Sequence, residues 1–174
     1  IVRGANVAAD GSNAFLASIN IVTRSPLLDS GWMVESQLGS GDIRNARVAY
    51  TGTHGPLSHR TTLSFRSNDG FDDVIFRGQP ISVDDSSKNS SATFKGLWTP
   101  TASDSVEFQV GVSDSDLGIG EREYFTRKLS YKYQYANWSR LMNSGNALQM
   151  SLYHNDLDIV DEVTPLFLSE ALGV

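Results

Sequence analysis

The chain has 174 residues, 40% of them apolar and 10% aromatic, with no cysteine and a net charge of -6. This suffices for one domain, excludes disulfides, thiolate metal sites and cysteine nucleophiles, and leaves no run near the ~18 apolar residues that a membrane-spanning helix needs. Acidic residues outnumber basic ones by 20 to 14 and no basic run exists, so nucleic-acid binding is not expected.

The chain opens Ile1-Val2-Arg3-Gly4, without an initiator Met or a basic-then-apolar leader, and stops at Leu172-Gly173-Val174. The expectation is an internal piece of a longer protein.

From residue 32 onward, apolar and polar residues alternate in separate blocks, the period of a strand. In chain order the apolar rows are Trp32, Val34 and Leu38; Ala46, Val48 and Tyr50; Thr61, Leu63 and Phe65; Ala92, Phe94 and Trp98; Val106, Phe108, Val110 and Val112; Phe125, Leu129, Tyr131, Tyr133 and Tyr135; and Leu148, Met150 and Leu152. Seven strands follow, with no helical pattern of comparable quality. The links 53–58, 99–104 and 141–146 are short and rich in Gly, Pro, Ser and Asn, as turns should be. Longer links are expected over 67–90, 113–124 and from 155 onward, and only the first, around Gly39-Ser40-Gly41-Asp42, is short. Long and short links in alternation place the long ones on one rim of an up-and-down antiparallel sheet.

Two architectures suit that pattern. One is a transmembrane β-barrel, apolar outside, polar inside and closed so that no backbone group is left unpaired in lipid. The other is a soluble β-sandwich that binds carbohydrate or protein and buries one face under a second sheet. On a barrel, Trp32, Trp98, Tyr124, Tyr135 and Trp138 become interfacial aromatics, and the Tyr131-Tyr133-Tyr135 row becomes a lipid-facing stripe. The same row could instead be a stacking platform for sugars or bases.

Residues 3–23 carry a more specific signal. Arg3-Gly4, Gly11, Ala14 and Ile19-Asn20-Ile21-Val22-Thr23 match, in order and spacing, the end of the plug domain in TonB-dependent outer-membrane receptors. Ala5, Asp10 and Ala17 depart from the proline, tyrosine and glycine usual there. Arg66-Ser67-Asn68-Asp69-Gly70-Phe71-Asp72-Asp73 also resembles the exit of the third strand in this family.

The resemblance implies that residues 1–26 end a plug and that 27–174 are the first strands of a 22-stranded plugged barrel, roughly a third of its wall. It implies a bacterial outer-membrane location and uptake of a scarce nutrient: a ferric siderophore, haem, cobalamin or sometimes a glycan. Energy would come from the TonB complex, which pulls on a plug box absent from this sequence. The matching plug residues are Arg3, Gly4, Gly11, Ala14, Asn20 and Thr23. Contacts to a small-molecule ligand at the mouth are expected from the loop residues Phe71, Asp72, Arg77 and Tyr124. Outer-membrane lipid is the other partner, and no cofactor is expected.

Of the 20 acidic residues, 13 fall in the three long links, where solvation is the plain reason; a calcium site is the alternative, though Asp156-x-Asp158-x-x-Asp161-Glu162 lacks the glycine and spacing of an EF-hand loop. His54 and His59 flank a Pro-containing turn and read as exposed turn residues that could face each other, with metal or haem ligation as the alternative; His154 reads as a strand-end residue near the mouth. No nucleophile elbow, P-loop or paired-carboxylate arrangement supports an enzyme.

Overall fold

The computed structural model describes residues 2–3, 17–18, 25–27, 30–70, 74–76, 78–81, 84–119 and 124–164. The elements in chain order are β1 (Val2–Arg3), β2 (Ala17–Ser18), β3 (Gly31–Gly39), β4 (Ile43–His54), β5 (Leu57–Asn68), β6 (Val74–Phe76), β7 (Gln79–Ile81), β8 (Ser87–Trp98), β9 (Asp104–Gly118), β10 (Tyr124–Leu141) and β11 (Ala147–Thr164). Seven form one antiparallel sheet in the order β3-β4-β5-β8-β9-β10-β11, while β1 pairs with β2 and β6 with β7. The fold is therefore an all-β meander, and each row of alternating residues in the sequence lies in one of its long strands. The sheet is open, with β3 and β11 as its edges.

The short connections share one rim. The Thr99 N–H donates to the Pro56 carbonyl at 2.9 Å, and the Leu141 N–H donates to the Ser103 carbonyl at 2.8 Å. The longer connections share the other rim, where Asp69 N–H donates to Gly41 C=O at 3.0 Å and Gly118 N–H to Ser86 C=O at 2.8 Å.

The strands reach further than the alternation of apolar residues suggests. β8 starts at Ser87, β9 runs to Gly118 and β11 runs to Thr164, so much of what reads as long link is ladder. Asp114 and Asp116 lie in β9, and Asp156, Asp158, Asp161 and Glu162 lie in β11. These acids are strand residues, not loop residues. Their ladder bonds are made by the backbone, which is indifferent to side-chain charge as long as the side chains reach water.

Across the sheet the register is continuous, with no bulge between any two neighbours. No second layer covers either face among the described residues, and Ala49 is their one buried hydrophobic residue. Among the described residues the sheet therefore has no core, and Trp32, Val34, Leu63 and Leu152 stay exposed.

Candidate functional site

Antiparallel register partners point to the same side of a sheet, so the pairing defines two faces shared by all seven strands. One, the Trp32 face, gathers the apolar rows of β3, β4, β5, β8 and β9. Ala136 and Trp138 of β10, with Leu148, Met150 and Leu152 of β11, continue it. Trp32 is 74% exposed, Leu63 55%, Val110 45% and Leu152 63%. Rings link up across this face: Trp32 to Tyr50 at 4.9 Å between centroids, Tyr50 to His59 at 5.9 Å, His59 to Phe94 at 6.1 Å and Phe94 to Phe108 at 5.8 Å. With Trp98 and Trp138, whose indole N–H donates to Asp104 at 3.1 Å, they form an aromatic belt toward the short-turn rim.

The far edge of this apolar band does not follow a row of register partners. Its last side chain is Leu38 on β3, Phe65 on β5, Val112 on β9 and Leu152 on β11. Partners of Leu38 lead through Arg44, Ser67, Lys88, Asp116 and Lys128 to Val160, eight residues past Leu152. Val160 itself stands isolated between Asp158 and Glu162 on that face. Eight residues at ~3.4 Å against six strand spacings of ~4.8 Å make the strands lean about 45° from the normal to the edge. On β5 the band covers nine residues, 57–65. On β11 it is shorter, running over Leu148, Met150 and Leu152.

Beyond the edge, β10 and β11 exchange the character of their two sides. The Trp32 face there carries Lys132, Ser130 and Lys128 opposite Asp156, Asp158 and Val160. The opposite side, the Glu35 face, carries Tyr135, Tyr133, Tyr131 and Leu129 opposite Tyr153, Asn155, Leu157 and Ile159. The exchange falls at one level on both strands, between the partners Ala136 and Leu152 and the partners Tyr135 and Tyr153. The ladder is unbroken through this level, so no bulge produces the exchange.

This corrects the expectation for the tyrosine row. Tyr131, Tyr133 and Tyr135 do not share a face with Trp32, Val48, Leu63, Phe94 and Val110; they point the other way. Of the aromatics expected at an interface, Trp32, Trp98 and Trp138 share one face and Tyr135 is on the other. Tyr50, Phe94 and Phe108 are members of the apolar rows in the sequence, yet their joining into one belt depends on register.

On β3 to β9 the Glu35 face is polar and internally bonded. Ser64 and Ser91 hydroxyls lie 2.7 Å apart, and Asn89 Nδ2 donates to Ser113 at 2.9 Å and Ser115 at 2.7 Å. Asn45 Nδ2 donates to Gln37 at 2.9 Å, and Lys95 pairs with Glu107 at 2.8 Å. Arg60 lies over this side, donating to Thr51 at 3.0 Å and reaching Met33 Sδ at 3.7 Å. Such cross-strand ladders of hydroxyls and amides suit a wet or polar interior.

Of the expected plug residues, Arg3 lies in β1, paired with Ala17; Gly4, Gly11, Ala14, Asn20 and Thr23 fall outside the described residues, as do Phe71, Asp72 and Arg77. Tyr124 opens β10 opposite Thr164. The histidines differ from expectation. His54 partners Leu57 and His59 partners Gly52, so they do not face each other. His59 is half-buried between the Tyr50 and Phe94 rings rather than exposed in a turn. His154 sits within β11 on the Trp32 face, opposite Gln134, and is not at a strand end. No cluster of His, Asp and Glu suited to a metal ion exists among the described residues.

No protein-family model, no curated protein and no solved structure matches this chain. The reading of the site rests on its own geometry.

Beyond the band, two ion pairs join β10 to β11. Arg127 donates to both Asp161 oxygens at 2.6 and 2.9 Å, and Lys128 donates to Glu162 at 2.8 Å. The Arg127 hydrogen bonds hold the Asp161 carboxyl below its ordinary value, and the Glu162 hydrogen bond raises the Lys128 ammonium. Because the Asp161 pKa is depressed on folding, the pair stabilises fully at neutral pH, and its contribution fades only as pH falls through that lowered value. Arg127→Gln is expected to return the Asp161 titration, followed by carboxyl-carbon NMR, upward to the usual carboxylate range, with the neutral-pH fold intact.

Proposed function

We propose that this chain is part of the wall of a transmembrane β-barrel, in a TonB-dependent receptor of the bacterial outer membrane that takes up a scarce nutrient. The wall reading is carried by the sloping edge of the apolar band together with the exchange of sides beyond it. A barrel strand leans about 35–45° from the membrane normal, so the lipid boundary must cut obliquely across register rows. Inside lipid, the outward side is apolar and the inward side polar; where a strand rises into water, the outward side becomes charged. Aromatic side chains gather at the interface, as the Trp32-to-Phe108 belt does. A soluble sandwich has water on one side and a core on the other along the whole strand, so its apolar row stays on one face. The receptor assignment is supported by the plug-like run between Arg3 and Thr23.

The absence of cysteine makes the wall reading directly testable. Single cysteines replace Val110, Leu63 and Leu152 inside the band, and Asp114, Ser130 and His154 beyond it, all on the Trp32 face. In lipid vesicles a water-soluble maleimide is expected to label the second group and spare the first, and a bilayer-partitioning maleimide to do the reverse. Equal labelling of Val110→Cys and Asp114→Cys by the water-soluble reagent would sink the proposal. The uptake role is tested by accumulation of a labelled ferric siderophore, haem and cobalamin in cells with and without the protein, and with the energy-coupling complex disabled.

A further inference from the structure

The Glu35 face beyond the band holds a group of side chains that the wall reading leaves without a task. A strand that rises into water needs no apolar side there, yet Tyr131, Tyr133, Tyr135 and Tyr153 lie together on this one. Tyr135 and Tyr153 are register partners, and the Tyr131 and Tyr133 rings stack at 5.9 Å with 28° between their planes. Tyr133 lies across β9, where Gly111 leaves space for its ring. Its hydroxyl accepts a bond from Gln109 Nε2 at 2.8 Å, and the Tyr131 hydroxyl donates to Asn155 Oδ1 at 3.2 Å. The rings are thus held in place before any ligand arrives, which reduces the ordering cost of binding. Tyr153 is 79% exposed.

The surrounding chemistry selects the ligand. The amides of Gln109 and Asn155 each spend one atom on a tyrosine and keep the other, a carbonyl oxygen and an amide nitrogen respectively. The ionised groups beside the rings on this face pair with each other, Arg127 with Asp161 and Lys95 with Glu107, and the described cations without a carboxylate, Arg60 and Arg66, stand on β5, three strands from β10. An anionic chelate would meet no unpaired cation here. Rigid aromatic faces, amide donors and acceptors, and no free charge are the complement of a neutral sugar, whose ring C–H groups stack on tyrosine while its hydroxyls bond to amides.

We propose that Tyr131, Tyr133, Tyr135 and Tyr153 form a stacking platform for a neutral oligosaccharide at the water-exposed inner side of the wall. The proposal rests on the wall reading and refines the class of nutrient to a glycan.

The test uses the whole protein in detergent micelles and titrates hexamers of glucose, mannose and xylose by calorimetry, with a ferric tricatecholate and a hexamer of galacturonic acid as anionic controls. At least one neutral hexamer is expected to bind more tightly than both anions. Tyr131→Ala and Tyr153→Ala are expected to weaken it tenfold or more, and Tyr131→Phe only a few-fold, because it keeps the ring. Far-UV circular dichroism checks that each variant retains its strands. Binding of an anion alone, no binding by any neutral hexamer, or binding indifferent to both alanine variants would overturn the proposal. So would a Tyr153→Cys variant that a water-soluble maleimide cannot reach, since another part of the chain would then occupy the platform. Labelling at Val110→Cys and Asp114→Cys in the same preparation, moved to vesicles, separates the two ideas: a correct lipid pattern without sugar binding removes the platform and leaves the wall.

Discussion

Val110→Arg is expected to lower folding stability in lipid vesicles by about 2–4 kcal/mol, whereas Asp114→Arg, on the same strand and the same face, is expected to cost about 0–1 kcal/mol. On this face only Val112 stands between the two positions, yet the band edge passes between Val112 and Asp114. On the proposed wall an arginine at 110 must place its guanidinium among acyl chains or pull it out along the strand, and burying an unpaired charge in hydrocarbon is costly. At 114 the same side chain stands in water, opposite Ser90 and Ser130. Folding titrations with urea, monitored by tryptophan fluorescence in vesicles, measure both. In a water-soluble sheet, Val110, already 45% exposed, would tolerate arginine almost as well as position 114 does. Equal costs at the two positions would therefore refute a lipid boundary at Val112.

Gly111→Ala and Gly96→Ala are each expected to destabilise the sheet by about 1–3 kcal/mol, the usual cost of forcing extra volume into a filled space. A Cβ at Gly111 would run into the Tyr133 ring, and one at Gly96 into the Phe108 ring. In an unobstructed strand the sign is opposite, because alanine removes chain entropy from the unfolded state and stabilises by roughly 0.4–1 kcal/mol. The sign alone thus tells whether rings lie on these glycines. The two variants also separate the two sides of the sheet. Gly111→Ala displaces Tyr133 and breaks its bond to Gln109, which ring NMR of the tyrosines reports. Gly96→Ala moves Phe108 against Phe94 in the aromatic belt and leaves the Tyr131 and Tyr133 signals unchanged. A gain in stability at either position would contradict the ring placement there.

Each long strand was legible because its apolar residues recur every second position over a stretch long enough to be distinctive: Val106, Phe108, Val110 and Val112 admit no other regular structure. The distal ends of β9 and β11 were not legible as strand. Asp114, Asp116, Asp156 and Asp158 alternate with serine, asparagine or single apolar residues, and a charged row resembles a solvated loop unless the ladder beneath it is known. The exchange of sides on β10 did leave a trace. Tyr135 and Trp138 are an odd number of residues apart and so point to opposite sides of one strand, which rules out a common interfacial role for both. What escaped was the level at which the exchange happens, because Ala136 and Leu152 become neighbours only through the β10–β11 register.

By itself the sequence determined that this protein is an antiparallel meander, since period two, short turns and the absence of helical periodicity are local properties. Only the tertiary structure decided which rows share a side, where the apolar band ends and how obliquely it crosses the strands. Register is set between strands far apart in sequence, and a shift of one residue in any pairing would turn a whole row to the other face.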